Sequence, residues 1–225
     1  ELDFAILMNF YSKKLNMHNT NFINSSGWPS EDHYSTVYDL AILSNAIIKD
    51  FPKLYLYFSE KQFTYNDIKQ PNRNKLLENI RGVDGLKTGY TKASGWGIAA
   101  TALRDNRRIT VVINGTNSSR SRMNETVNLI NWAFSQTSQK VLIEKDEVIK
   151  EVDVWLGSES RVNLISEKKI ISTLSFDQIQ FLSSKIIYTK PIEAPINKGQ
   201  EYGKLIINIS GKPNLEIPIV AEKNI

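Results

Sequence analysis

The tripeptide Lys87-Thr88-Gly89 is the stretch whose residue types most directly predict chemistry. A lysine cation beside a threonine hydroxyl suits a carboxylate or a developing negative charge. Neighbours on a regular strand point to opposite faces, so both can serve one ligand only if it lies at the strand's edge. Gly89 would let a ligand backbone approach that edge closely. Taken alone, the tripeptide also fits an ordinary hairpin strand with one exposed lysine.

The residues around the tripeptide predict a three-stranded antiparallel meander. Residues 86–90, 96–103 and 109–113 are rich in apolar and β-branched residues, and the polar residues 104–108 form a turn before the last of them. This arrangement places Lys87 on the first strand of the meander. We therefore expect the tripeptide to lie on a sheet, where a ligand can reach its edge.

Helical periodicity dominates on either side of this meander. Residues 2–15 are predicted to form a helix packed on a core through the apolar residues Phe4, Leu7, Met8, Tyr11 and Leu15. The pair Thr36 and Asp39 matches a capping box that opens a second helix, which Pro52 ends. Residues 63–65 are a short strand candidate, and a further helix is predicted after Arg122. The first part of the chain thus mixes helices with an antiparallel sheet.

The pattern changes beyond residue 138. Segments that alternate like strands recur about every ten residues, as is typical of all-β domains. They cover residues 148–155, 161–165, 170–174, 185–189, 204–209 and 215–220. We therefore predict a domain boundary near residue 138, with one domain over residues 1–138 and a β-rich domain over residues 139–225.

Composition excludes several kinds of chemistry. The chain has no cysteine, which rules out disulfides, thiolate metal sites and cysteine nucleophiles, and its two histidines, His18 and His33, argue against a histidine-built metal site. No metal or cofactor is expected. Residues 1–138 carry 16 basic against 12 acidic residues, whereas residues 139–225 carry 12 of each, so the net charge of +4 lies entirely on the part with Lys87. This mild excess suits a small anionic ligand or an acidic polymer and argues against a nucleic-acid partner.

Several motifs in the first domain carry a resemblance to a known family. They are Asn19-Thr20-Asn21-Phe22, Ser26-Gly27-Trp28, His33-Tyr34-Ser35-Thr36, Asp39-Leu40-Ala41, Asn72-Arg73-Asn74, Val83-Asp84-Gly85-Leu86-Lys87-Thr88-Gly89 and Gly95-Trp96. In order and spacing, residues 1–138 resemble the D-alanyl-D-alanine carboxypeptidases, the low-molecular-mass penicillin-binding proteins. The resemblance implies an α+β fold, namely a penicillin-binding/β-lactamase-like transpeptidase domain truncated at its N-terminus, followed by a small all-β domain.

The resemblance implies serine acyl transfer with the motifs Ser-x-x-Lys, Ser-x-Asn and Lys-Thr-Gly. Only the third stands in a suitable place here. Ser166-Glu167-Lys168-Lys169 fits the first motif, but it lies in the β-rich part and is interpreted as an exposed polar turn. No Ser-x-Asn occurs. We therefore expect the nucleophile-bearing segment to be absent from these 225 residues and the chain alone to be inactive. The sequence leaves open whether that segment was removed by proteolysis, is disordered, or belongs to a separate N-terminal chain.

The resemblance also implies roles for individual residues. Lys87 would be catalytic, lying near the acylated serine and assisting proton transfer. Thr88, Gly89 and Arg73 would bind substrate, with Thr88 and Arg73 holding the terminal carboxylate. For Arg73 the alternative is a solvated loop arginine. Asn72 and Asn74 are expected to fix the loop backbone, His33 to make a structural hydrogen bond, and Trp96 to lie in the core.

The function that follows from the resemblance is removal of the terminal D-alanine from peptidoglycan stem peptides, with β-lactam antibiotics as acylating inhibitors of the intact protein. The location would be periplasmic, in the cell envelope, and such proteins usually carry a membrane anchor, here beyond residue 225. Two alternatives remain open. One is a non-catalytic envelope module that binds peptides at the Lys87 strand edge, and the other is a β-lactamase-like hydrolase.

Overall fold

A three-stranded sheet of consecutive antiparallel strands lies at the centre of the first part of the chain. The computed structural model describes residues 1–225 and divides into two units, Glu1–Phe134 and Ser135–Ile225. The helices of the first part are α1 (Leu2–Lys14), α2 (Val37–Asp50), α3 (Pro52–Tyr55), α4 (Leu76–Asn79) and α5 (Ser119–Gln136), with a 3-10 turn at Leu56–Ser59. Its strands are β1 (Gln62–Tyr65), β2 (Ile68–Pro71), β3 (Val83–Thr91), β4 (Gly95–Arg104) and β5 (Arg107–Thr116).

The predicted meander is confirmed, with each strand longer than the sequence pattern indicates. The strand order is β3-β4-β5, so β4 is central and β3 has one edge that no other strand pairs with. A tight turn at Asp105 and Asn106, both with positive φ, joins β4 to β5. The strand that carries the Lys-Thr-Gly tripeptide is therefore an edge strand.

Helices cover both faces of this sheet. On one face, the alternating residues Ile98, Ala100 and Ala102 of β4 pack in one core with Ile130 of α5. On the other face lies α2, whose Asn45 accepts a hydrogen bond of 2.8 Å from the Thr110 hydroxyl of β5. The sheet is thus held between α5 and α2, and its side chains divide between two different environments.

Helix α2 begins at the predicted place, but only the Thr36 half of the predicted capping box forms, because the Asp39 side chain bonds to Asn19 and Thr20. The Thr36 hydroxyl accepts a hydrogen bond of 3.1 Å from the backbone N–H of Asp39, which satisfies one of the free donors at the helix start. The Asp39 carboxylate is buried and accepts hydrogen bonds from the Asn19 N–H at 2.9 Å and the Thr20 hydroxyl at 2.7 Å. Asp39 therefore ties the loop before α2 to the helix.

Helix α1 forms where the periodicity predicts it, but the prediction that its apolar face packs on a core is wrong for most of that face. Phe4, Leu7 and Tyr11 are about half exposed, at 53%, 46% and 52%, and the buried residues of the helix are Ala5 and Ser12. Helical periodicity shows which side chains lie on the same face of the helix, but it does not show what packs against that face. The further exposed apolar residues of the helix are Leu2, Ile6 and Phe10.

The second unit is an all-β domain with one short helix. Its strands are β6 (Thr137–Ile143), β7 (Val148–Trp155), β8 (Arg161–Ile165), β9 (Ile170–Ser175), β10 (Ser183–Tyr188), β11 (Ile192–Glu193), β12 (Glu201–Asn208) and β13 (Leu215–Ala221), and the helix is α6 (Phe176–Gln180). Six strands form a sheet in the order β10-β12-β13-β8-β7-β11, while β6 pairs with β9.

The six strands predicted for this part are all present, whereas β6 and β11 were missed. Strand β6 begins at Thr137. It was not predicted because Ser138, Gln139 and Lys140 are consecutive polar residues, so apolar and polar positions do not alternate there. The domain boundary at residue 138 stays a prediction. No helix of the structure is both long enough and apolar enough to cross a membrane.

The core of the second unit offers a direct stability test. Leu164 is fully buried among Val162, Ile219 and Leu205, so Leu164→Ala leaves a cavity and should lower the free energy of unfolding by about 2–5 kcal/mol. Ile171→Ala removes a side chain that is 52% exposed and should cost at most about 1 kcal/mol. Urea unfolding of both variants measures this, and equal losses would contradict the packing described.

Candidate functional site

The site is built on the free edge of β3, where Lys87 and Thr88 point to opposite faces of the sheet. Lys87 lies opposite Ala99 of β4 and Thr88 lies opposite Ile98. Because Ile98 belongs to the core under α5, Thr88 points to the α5 side and Lys87 to the α2 side. This is the geometry expected from the sequence, in which one ligand can reach both residues only along the strand's edge.

Lys87 borders a cavity of about 400 Å³ between α2 and the sheet. The helix contributes apolar side chains to the cavity wall, among them Leu40, Leu43 and Ile47. The ammonium group of Lys87 donates a hydrogen bond to the backbone carbonyl of Thr88. An amine at the mouth of an apolar cavity is partly removed from water, which disfavours its protonated, charged form.

Thr88 and Gly89 continue the edge with contrasting environments. Thr88 is only 7% exposed, although its hydroxyl is polar. Gly89 is exposed, and a Cβ added there would meet no atom within 4 Å. The space beside Gly89 is therefore open, which leaves room for a ligand backbone against the strand.

Arg73 lies on the loop between β2 and α4, and its two asparagine neighbours hold that loop. Asn72 donates a hydrogen bond to the carbonyl of Glu60 at 2.9 Å and accepts one from the N–H of Asn74 at 2.8 Å. The buried Asn74 donates to the carbonyl of Gly85 on β3 at 3.1 Å. Both asparagines thus fix the loop backbone, as expected from the sequence, while the Arg73 side chain is exposed.

A third cation, Arg122, belongs to the site and was missed from the sequence. It lies on the first turns of α5, is 4% exposed, and donates to the carbonyls of Gly89 at 3.4 Å and Gly97 at 3.5 Å and to the Ser119 hydroxyl at 3.2 Å. Its Nε is buried without a hydrogen-bond partner. The sequence offered only a weak signal, because Arg122 shares a helix face with Thr126 four residues later and with Ile130 eight residues later, and the burial of Thr126 is visible only in the structure.

The guanidinium of Arg122 also lies over an aromatic pair. Its central carbon is 5.3 Å from the ring centre of Trp96, which in turn stacks on Tyr90 with ring centres 4.3 Å apart. Trp96 is half-buried, so the expectation that it lies in the core holds only in part. Its ring helps to hold Arg122 against the edge of the sheet.

The electrostatics of the site are those of unbalanced positive charge. Partial burial, followed by the charges of Arg73 and Arg122, holds the pKa of the Lys87 ammonium below its ordinary value. Burial likewise lowers the pKa of Arg122. None of these three cations forms an ion pair with a carboxylate, although eight ion pairs occur elsewhere in the chain. An anion placed at this edge would be attracted by all three groups.

Ser166 differs from its interpretation as an exposed polar turn. It follows strand β8 in a turn, but it is 1% exposed, and its hydroxyl donates to the carbonyl of Lys168 at 2.9 Å. Its backbone is hydrogen-bonded to Asp146 and Glu147, which explains the burial. A hydroxyl committed in this way has no access to a substrate. His33 accepts a hydrogen bond of 3.2 Å from the N–H of Ile23, which agrees with the structural role expected for it.

Comparison with known proteins places this architecture in a defined class. The chain superimposes on penicillin-binding protein 5 from Haemophilus influenzae with a TM-score of 0.82 at 31% identity, covering 99% of this chain and 66% of that one. It superimposes on the D-alanyl-D-alanine carboxypeptidase DacD from Francisella tularensis with a TM-score of 0.80 at 25% identity, covering 99% and 68%. The predicted fold class, a transpeptidase-like α+β domain followed by an all-β domain, is therefore confirmed.

The sequence comparisons identify the family. Residues 1–117 match the family model of D-alanyl-D-alanine carboxypeptidase, and residues 138–225 match that of the penicillin-binding protein 5 C-terminal domain. The chain is 35% identical to D-alanyl-D-alanine carboxypeptidase DacC of Escherichia coli over 224 residues and 30% identical to DacF of Bacillus subtilis over 234 residues. It covers 56% and 59% of the lengths of these relatives, and 99% and 100% of itself. The chain belongs to the D-alanyl-D-alanine carboxypeptidase family.

The charge cluster predicts a measurable pKa response. Arg73→Met removes one like charge from the neighbourhood of Lys87, so the protonated form becomes easier to keep and the pKa of Lys87 should rise toward its ordinary value. NMR titration of isotope-labelled lysine side chains measures this, with Lys87→Arg identifying the signal. The exposed Arg81, which pairs with Asp105, provides the control variant Arg81→Met, expected to leave the pKa unchanged. An unchanged pKa in Arg73→Met would contradict the proximity of the two cations.

Proposed function

We propose that this chain is part of a serine-type D-alanyl-D-alanine carboxypeptidase that removes the terminal D-alanine from peptidoglycan stem peptides. The observation that carries the proposal is the group of three cations without a carboxylate partner, Lys87, Arg73 and Arg122, around the free edge of β3. A peptide that ends in a free carboxylate supplies the missing negative charge. Its extended backbone can add to β3 as a further strand.

The chemistry proposed is acyl transfer to a serine. The serine hydroxyl gives up its proton as its oxygen bonds to the carbonyl carbon of the penultimate residue. The peptide bond to the terminal D-alanine then breaks, and the leaving amine takes up that proton. Water then hydrolyses the ester, which releases the shortened peptide and restores the serine. Lys87 would stabilise negative charge and assist proton transfer next to that serine. The direction of its pKa shift supports this role, because a lysine whose pKa lies below its ordinary value gives up its proton more readily.

Substrate binding is assigned to three residues on the β3 edge and the adjacent loop. Arg73 and Thr88 would hold the terminal carboxylate, the former through its guanidinium fork and the latter through its hydroxyl. Gly89 would leave space for the substrate backbone. β-Lactam antibiotics, which carry a carboxylate next to a strained amide, would occupy the same places and acylate the serine. The location proposed is the cell envelope on the periplasmic side, where this substrate occurs.

The nucleophile is proposed to come from a segment outside these 225 residues. The only Ser-x-x-Lys in the chain contains the buried Ser166. The exposed apolar face of α1, including Phe4, Leu7 and Tyr11, together with the apolar cavity beside Lys87, offers a surface that such a segment would cover. It would belong either to the same polypeptide or to a separate N-terminal chain. A membrane anchor following residue 225 is proposed as well.

A second function is supported by the same site. A free strand edge with three cations can bind a carboxylate-terminated peptide without any nucleophile, so the chain by itself would act as a non-catalytic peptide-binding module of the envelope. The two functions differ in one outcome, since a module binds the peptide unchanged whereas the enzyme shortens it.

The carboxylate assignment predicts a substrate-dependent loss of activity. A charged hydrogen bond is worth about 1.5–3 kcal/mol, so Arg73→Ala in the full-length protein should lower kcat/KM about ten- to a hundredfold for a peptide with a free carboxylate. The same peptide with an amidated end should be nearly unaffected by the substitution. Thr88→Val should behave likewise, and the double variant should lose less than the sum, because both groups hold one carboxylate.

Steady-state hydrolysis of both peptides measures this effect. Lys75→Ala, which removes an exposed cation two residues from Arg73 on the same loop, is the matched control and should leave kcat/KM close to that of the wild type. If Arg73→Ala slows the free and the amidated peptide equally, Arg73 shapes the loop and does not bind the carboxylate.

The origin of the nucleophile is tested by acylation. Mass spectrometry of the 225-residue chain incubated with benzylpenicillin should show no covalent adduct, whereas the full-length protein should gain one. Ser166→Ala should leave both results unchanged, because the Ser166 hydroxyl is buried and donates to a backbone carbonyl. An adduct on the 225-residue chain would show that the nucleophile lies within it.

A further inference from the structure

A β-bulge interrupts β3 three residues before Lys87. Val83 lies opposite Ala102 and Gly85 lies opposite Thr101, so Asp84 is an extra residue without a partner on β4. A bulge of this kind adds local twist and redirects the residues that follow it. Because side chains alternate along a strand, one extra residue also changes which face every later side chain occupies.

Four side chains hold this bulge in place, and we call them the Asp84 clamp: Asp84, Arg108, Thr101 and Tyr55. Arg108 of β5 reaches across β4 and donates two hydrogen bonds of 2.7 Å, one to each carboxylate oxygen of Asp84. The Thr101 hydroxyl donates at 2.8 Å and the Tyr55 hydroxyl at 2.6 Å to the same carboxylate. A two-pronged guanidinium–carboxylate pair is among the strongest and most directional contacts in proteins.

At neutral pH, Tyr55 of the clamp is protonated and Asp84 is ionised. Burial, reinforced by the hydrogen bond to Asp84, raises the pKa of Tyr55 to about 12, so its hydroxyl remains a donor at neutral pH. Burial by itself would raise the pKa of Asp84, but the hydrogen bonds from Arg108, Tyr55 and Thr101 outweigh it and hold that pKa below its ordinary value. Asp84 is thus a carboxylate that accepts from all three partners.

The backbone next to the bulge is held from a second direction. A Cβ on Gly85 would lie 2.6 Å from the Tyr55 hydroxyl, so only glycine allows Tyr55 to approach β3 this closely. The carbonyl of Gly85 accepts the hydrogen bond from Asn74, which directly follows Arg73 in the sequence. One short stretch of β3 is therefore tied both to the sheet and to the loop that carries Arg73.

We propose that the Asp84 clamp is a set of positioning residues that fixes the bulge in β3 and so aligns Lys87 and Thr88 with Arg73. The catalytic consequence rests on the proposed function, because it assumes that these three residues act on one substrate. The effect of the clamp on the position of β3 does not depend on the proposed function. Lys87 and Thr88 lie on an edge strand with pairing on one side only, so their placement depends on β4 and on whatever fixes the strand before them.

A simple contribution to stability is the competing explanation, and the test separates the two. In the full-length protein, Asp84→Asn keeps the size of the side chain but places an N–H donor where Arg108 also donates. Tyr55→Phe removes one donor. The matched control is Ile130→Val, which lowers stability from the α5 side of the sheet without touching the clamp. Rates are compared at temperatures equally far below each variant's Tm.

The first readout is amide hydrogen exchange of residues 86–90. Asp84→Asn should speed exchange there at least tenfold, and Tyr55→Phe by a smaller factor, while exchange in β5 and in the Ile130→Val variant stays near the wild-type rate. The second readout is kcat/KM on a carboxylate-terminated peptide, which should fall at least tenfold in Asp84→Asn and less than twofold in Ile130→Val.

The results of these two measurements distinguish a failure of the clamp proposal from a failure of the proposed function. Exchange of residues 86–90 that is unchanged in Asp84→Asn, or raised equally by Ile130→Val, overturns the clamp whatever the activity. Faster exchange with wild-type kcat/KM overturns its role in positioning Lys87 and Thr88. A wild-type protein that does not hydrolyse the peptide at all counts against the proposed function, and the exchange result then still decides whether the clamp holds the strand.

Discussion

Unbalanced positive charge at the free edge of one strand is the constraint on which the rest of the first unit depends. Lys87, Arg73 and Arg122 repel one another, and the partial burial of Lys87 and the burial of Arg122 disfavour their charged forms. The fold must offset this cost elsewhere, because a conformation that separated the three cations would relieve the repulsion. A bound anion would remove part of this cost, so the arrangement favours the binding of a negatively charged ligand.

The same strand edge must also avoid unwanted pairing, because an unpaired edge can bind strands of other molecules as well as ligands. Edge strands are commonly protected by lysine side chains and bulges, and β3 has Lys87 on its edge and a bulge at Asp84. The strand is held by its pairing with β4, by the Asp84 clamp and the Asn74 side chain before the tripeptide, and by Arg122, which donates to the carbonyl of Gly89. The space beside Gly89 stays open, because a Cβ there would meet no atom within 4 Å.

The two units differ in how their polar groups are used. The second unit has equal numbers of acidic and basic residues, and its surface ion pairs, such as Lys204 with Glu216, are exposed and contribute little. Its buried serine, Ser166, is satisfied by backbone. In the first unit, buried polar side chains such as Thr101, Asn74 and Arg122 converge on β3. Buried polar groups cost free energy unless they are satisfied, so their concentration around one strand indicates where position matters most.

The sequence by itself determined the local elements and the motif. Alternation and helical periodicity act over a few residues, so α1, α2, α5, the meander and six strands of the second unit could be read directly, as could the edge placement of Lys87 with Thr88. Only the tertiary structure decided the partners. Arg122 joins the site from α5, Arg108 reaches Asp84 across a strand, Ser166 is buried by its backbone contacts, and the apolar face of α1 remains exposed. These contacts and exposures depend on residues that are far apart in the chain, and a local sequence pattern does not show which surfaces pack together.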